Sequence, residues 1–129
     1  MDVCNQDWRM LNIGLSYTSY HIVTLEDTVN QINGVCSGVL DDSRVLALAE
    51  NASVLALDGF LNDDTTTIGV GVEFSSFFRP EVGSLVQTTS VLTGFNEERL
   101  DFHVVVSMDG LTIGEGYHFR NIVHREDFK

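Results

Sequence analysis

Three observations predict an α+β domain in which an antiparallel sheet wraps around one long central helix. The stretch Ser43 to Leu57, SRVLALAENASVLAL, holds ten Val, Leu or Ala in fifteen residues and no Gly or Pro, a composition that favours helix. After Gly59 the chain changes to extended segments rich in Val, Thr, Ile and Phe, separated by turn signals. With 129 residues there is material for one core and not for two, so helix and strands share it in a single domain spanning 1–129. A helix apolar on nearly every side is one enclosed by other structure.

Residues Met1 to Asn12 are polar and mixed, with Trp8 the only large anchor, and are expected to form a loosely ordered leader. Gly14 to Val23, GLSYTSYHIV, reads as a first strand. Thr24-Leu25-Glu26-Asp27 has the spacing of a capping box and predicts a short helix to about Ile32. Asn33-Gly34 and Ser37-Gly38 make Asn33 to Leu40 an irregular loop. Asp41, Asp42 and Ser43 supply an N-cap for the long helix, and Asp58-Gly59 ends it. Four strands follow. Thr66 to Phe78 is closed by Arg79-Pro80-Glu81-Val82-Gly83, and Ser84 to Thr93 by Gly94-Phe95-Asn96-Glu97. Arg99 to Met108 alternates Leu100, Phe102, Val104 and Val106 on one face, and Asp109-Gly110 is a strong hairpin signal. Leu111 to His124 then places Gly114, Gly116, His118 and Arg120 on one face.

Charge narrows the function classes. Nineteen acidic residues against seven basic give a net charge of −12, a surface that repels nucleic acid and anionic membrane. The mean hydropathy of +0.07 is that of an ordinary globular protein. Cys4 and Cys36 have no metal-ligand spacing and read as free thiols, no histidine pair has a ligand spacing, and no metal is expected. Neither a signal peptide nor a membrane span is visible, which predicts a cytoplasmic protein. The one chemical misfit is Glu50, a carboxylate at the centre of the apolar helix. Buried there, it needs a partner, a proton or a wet pocket, and such groups cluster at functional sites.

The tail Gly114-Glu115-Gly116-Tyr117-His118-Phe119-Arg120 with His124, Glu126 and Phe128 resembles the closing strand of the fluoroacetyl-CoA thioesterases, a family of hotdog-fold acyl-CoA thioesterases. The helix VLDDSRVLALAENAS and the PEVGS turn resemble the same family, and the likeness runs from about Leu11 to the C-terminus. The resemblance implies a hotdog fold, a homodimer or tetramer, and a coenzyme A thioester bound beside the central helix as substrate, with no further cofactor. It implies that Glu50 is the catalytic carboxylate, that the backbone of Gly69 meets the thioester oxygen, and that Arg120 lies in the site. The family's catalytic Thr falls on Asp42, its catalytic His on Ser76 and its gate Phe on Cys36, so fluoroacetyl specificity does not carry over.

The function expected is hydrolysis of a small acyl thioester, with Glu50 as base or nucleophile. The alternative is a binding protein for an acyl thioester or another small ligand, with a degenerate catalytic site. Asp42 reads equally as a plain N-cap, Ser76 as a strand serine, and Arg120 as a partner for a carboxylate. His118 and His124 read as structural hydrogen-bonders, and His21 and His103 as ordinary strand residues. A hydratase on this scaffold would want a His five residues after Asp42, where Ala47 stands. The acyl carrier, CoA or a protein-bound pantetheine, is open.

Overall fold

The computed structural model describes residues 11–30, 32–61 and 63–128. Its elements run β1 (Ser16–Ile22), a 3₁₀ turn (Leu25–Thr28), α1 (Asp42–Ala56), β2 (Thr65–Ser76), β3 (Leu85–Asn96), β4 (Arg99–Met108), β5 (Leu111–His124) and a closing 3₁₀ turn (Arg125–Phe128). All five strands join one antiparallel sheet in the order β1-β3-β4-β5-β2, so β1 and β2 are its edges. This is the α+β arrangement that the sequence predicts. Most of the expected leader, including Trp8 and Cys4, lies outside the described residues. Leu11 is already buried in the core.

The core forms where the period-two pattern of the strands meets the helix. Leu100, Phe102, Val104 and Val106 of β4 are all buried, with Leu92 of β3 and Ile113 and Ile122 of β5, against Val45, Ala49 and Ala56 of α1. The buried face of α1 consists of Val45, Ala49, Ala52, Ser53 and Ala56. Side chains this small bring the helix axis close to the sheet, and Ser53 Oγ shares a 2.8 Å hydrogen bond with Ser90 Oγ of β3 and lies 3.1 Å from Ala49 O. Asp41 is the N-cap, its carboxylate accepting from the Ser43 N–H, and Gly59 leaves the helix at φ +83°.

Three expectations are corrected. The helix is not enclosed: Arg44, Ala47, Glu50, Asn51 and Val54 form an exposed stripe along it. The stripe exists because α1 packs mainly on β3 and β1 and leaves the inner face of β5 and β2 thinly covered. The helix expected from Thr24 to Ile32 is only the turn Leu25–Thr28, since Val29 bridges to Cys36 and the Asn30 side chain accepts the N–H groups of Ile32 and Asn33. No break occurs at Gly94: the strand bulges at Thr93 and continues through Gly94 to Asn96, and the turn falls at Glu97, where φ is +57°.

Glycine at Gly116 is required by close approach. A Cβ there would collide with Glu73 O and Phe74 Cα of β2, backbone atoms that cannot step aside.

Candidate active site

Gly69 and Arg120 are cross-strand partners on the inner face of β2 and β5. Directly after Gly69 the register shifts by one residue, so Val70 is a bulge and Gly71 pairs with Phe119. Arg120 is buried but well supported. Its Nε donates to Thr67 Oγ1 at 2.7 Å and its Nη2 to Thr67 O at 2.9 Å, which fixes the guanidinium plane and leaves Nη1 toward Gly69. Burial lowers the Arg120 pKa, and the charge of Glu50 opposes that shift. Glu50 thus lies within electrostatic reach of Arg120 and meets solvent in the single chain.

His118, two residues before Arg120, completes this group. Its side chain is almost wholly buried beside Phe102, with ring centroids 6.5 Å apart. Burial, then the charge of Arg120, lowers its pKa to about 4, so the ring is neutral at physiological pH. Among the described residues Nδ1 has no hydrogen-bond partner. The expectation of a structural hydrogen-bonder is therefore not met at that atom.

The other expected site residues lie elsewhere. Asp42 is the first residue of α1, eight residues before Glu50 and so roughly 12 Å away along the axis. Its Oδ2 forms a 2.7 Å ion pair with Arg79 Nη2, while Oδ1 is buried without a partner among the described residues. Ser76 ends β2, opposite Gly114 and exposed. Seven residues separate it from Gly69, roughly 20 Å of strand. Arg79 also lines a cavity of about 440 Å³ with Val39, Phe78, Glu81, Ser84 and Met108. Cys36 is exposed in the loop before α1. One chain therefore gathers Glu50, Gly69 and Arg120, and sets Asp42 and Ser76 apart from them. Thr67 and Arg79, which hold Arg120 and Asp42, carry no sequence signal: a threonine in a Thr-rich strand start and an arginine in a turn are both commonplace.

A second polar cluster fixes the approach to α1. Asp27, only 1% exposed, accepts from the Thr24 N–H at 2.8 Å and from Arg44 Nε at 3.1 Å, and bonds His21 Nε2 at 2.6 Å. Its backbone carbonyl accepts the Asp41 N–H at 2.9 Å. His21 is thus more than an ordinary strand residue: it joins β1 to the helix start through one carboxylate.

The sequence model of the fluoroacetyl-CoA-specific thioesterase family, FlK, matches residues 23–126. No curated protein sequence gives a significant match. Solved structures share the fold. A variant of the fluoroacetyl-CoA-specific thioesterase FlK in complex with fluoroacetate and CoA has a TM-score of 0.84 at 22% identity, over 92% of this chain and 100% of that one. A hot-dog-like protein from Thermanaerovibrio acidaminovorans gives 0.85 at 17% identity, over 92% and 87%. A hypothetical protein of the thioesterase superfamily from Thermus thermophilus gives 0.83 at 21% identity, over 90% and 86%.

Proposed function

Since the chain belongs to the fluoroacetyl-CoA-specific thioesterase family and has the hotdog fold, we propose that it hydrolyses a small acyl thioester, of CoA or of protein-bound pantetheine, with Glu50 as base or nucleophile. The observation that carries this reading is the pairing of Gly69 with Arg120, whose buried charge feels that of Glu50. As a base, the carboxylate takes a proton from water as the water oxygen bonds to the thioester carbon. The oxyanion so formed lies against the Gly69 backbone and the positive charge of Arg120. Collapse expels the thiolate, which the proton held by Glu50 neutralises. As a nucleophile, the Glu50 carboxylate bonds to the thioester carbon and expels the thiolate, leaving an anhydride; water then cleaves it, freeing the acid and the Glu50 carboxylate while its proton neutralises the thiolate.

The exposed stripe of α1 and the open edge of β2 support a homodimer. Val70 and Val72 on that edge are 48% and 41% exposed, and an unpaired edge strand bearing apolar side chains is a template for association. Antiparallel pairing of two β2 edges sets the far end of one against the near end of the other, which shortens the Ser76 to Gly69 separation across copies. A monomeric mass in light scattering at micromolar protein overturns the dimer.

The ion pair that occupies Asp42 Oδ2 favours one second reading, a protein that binds an acyl thioester without cleaving it. A spectrophotometric thiol-release screen over short, branched and aryl acyl-CoAs decides between them. Hydrolysis of at least one thioester well above the buffer rate is expected. Saturable binding with no release supports the second reading.

A further inference from the structure

His118 belongs to no role assigned above, and its surroundings point to one. The ring has two ends. Nδ1 is sealed inside the protein without a partner among the described residues, whereas Nε2 is turned to Gly69, 3.5 Å from the point where a Cβ would stand. Arg120 Nη1 is 3.4 Å from the same point. The missing side chain of Gly69 therefore leaves a notch with two nitrogens on its wall. Both nitrogens flank the open Cα face of Gly69, so an oxygen atom resting against that face comes beside both.

The tautomer follows from burial. A neutral imidazole carries its proton on one nitrogen. A buried N–H without an acceptor is rarer and costlier than a buried acceptor without a donor. The proton consequently belongs on Nε2, where it faces the notch, and the bare lone pair on Nδ1. The low pKa agrees, because a neutral ring neither repels Arg120 nor serves as a base at neutral pH. Two donors, one on a cation, match an oxygen that carries or develops negative charge.

We propose that the Gly69 notch is an acyl-oxygen site in which His118 donates Nε2–H, beside Arg120 Nη1, to the carbonyl oxygen of a bound thioester or to a carboxylate oxygen of the released acid. This deepens the hydrolase reading and rests on it for the thioester alone. The carboxylate half stands independently. His118 is then a substrate-contacting donor, distinct from Glu50, which handles the proton of water.

Long-range ¹H–¹⁵N spectra of the labelled full chain at pH 7 test the tautomer, with His118→Gln identifying the signal. The expected spectrum has a pyridine-type Nδ1 and a pyrrole-type Nε2, unchanged between pH 6 and 8. Protonation on Nδ1, or a ring charged at pH 7, overturns the proposal. Sodium acetate, titrated to several hundred millimolar, is expected to shift the Nε2 resonance. In Gly69→Ala that shift should vanish, because the methyl fills the notch at ordinary van der Waals contact and the fold persists. No shift in the wild type, or an equal one in Gly69→Ala, overturns it. In thiol release, His118→Phe should lower kcat about 100-fold at unchanged melting temperature, with His118→Gln, which keeps an N–H donor, losing far less. Wild-type rates in His118→Phe overturn the donor role and leave the hydrolase reading intact. An acetate response without any thioester hydrolysis does the reverse.

Discussion

Replacing Asp27 by Asn tests the second polar cluster quantitatively. Burial pushes the Asp27 carboxyl up, but the Thr24 N–H, the His21 ring, the Thr24 hydroxyl and the charge of His21 together outweigh it and hold the pKa at about 2, against 3.8 for an ordinary aspartate. At 1.36 kcal/mol per pH unit, that difference is worth about 2 kcal/mol of folding stability. The amide in Asp27→Asn keeps an acceptor for the Thr24 N–H but leaves Arg44 and His21 without their counter-ion, so the whole loss should be about 2 to 4 kcal/mol. For a domain of this size the melting temperature should fall by about 8 to 15 °C. The sign of the pH dependence is fixed. The folded pKa lies below the unfolded one, so the contribution is complete above about pH 4 and disappears as pH falls toward 2. Melting curves followed by circular dichroism should therefore show a clear gap between wild type and Asp27→Asn at about pH 5, closing below about pH 4. A gap under about 2 °C at about pH 5, or one that persists unchanged at about pH 2.5 in proteins still folded there, would refute the reasoning.

Other predictions follow from single contacts. Ser53→Ala or Ser90→Ala leaves the opposite buried hydroxyl without its 2.8 Å partner and should cost about 1 to 2 kcal/mol, whereas the double change should cost less than the sum, as read by chemical denaturation in a double-mutant cycle. Asp42→Thr with Ser76→His should raise kcat/KM for thiol release, since it removes an anion from the helix N-terminus and supplies an imidazole; a fall in both single variants and the double would show that Asp42 is a working carboxylate. Removing the Arg79 partner of Asp42 should change stability by less than about 1 kcal/mol, because both side chains of that pair are half exposed.

The strands were legible because their chemistry is unambiguous. Leu100, Phe102, Val104 and Val106 recur at period two, and Asp109-Gly110 adopts the two positive φ angles, +52° and +79°, that such a hairpin demands. The open face of α1 was not legible. Ala47 and Val54, exposed, and Ala52 and Val45, buried, are the same residue types, so a Leu and Ala helix hides which side faces solvent. Family resemblance pointed to Gly69, Arg120 and Glu50, and the strand register shows why Gly69 and Arg120 belong together. The unpartnered Nδ1 of His118 is not legible for a physical reason. Nothing in a sequence distinguishes a histidine whose two nitrogens are both bonded from one with a nitrogen sealed off. The same limit applies to Asp27, whose partners His21 and Arg44 come from separate elements brought together only by folding.

The central claim is that the carboxylate of Glu50 performs the proton or bond chemistry of thioester cleavage. Glu50→Gln keeps the shape and the helix while removing the base. The decisive measurement is kcat for thiol release by wild type and Glu50→Gln on the best acyl-CoA from the screen, at matched melting temperature and oligomeric mass. A loss of at least roughly a hundredfold is predicted; a variant that retains the wild-type kcat contradicts the account.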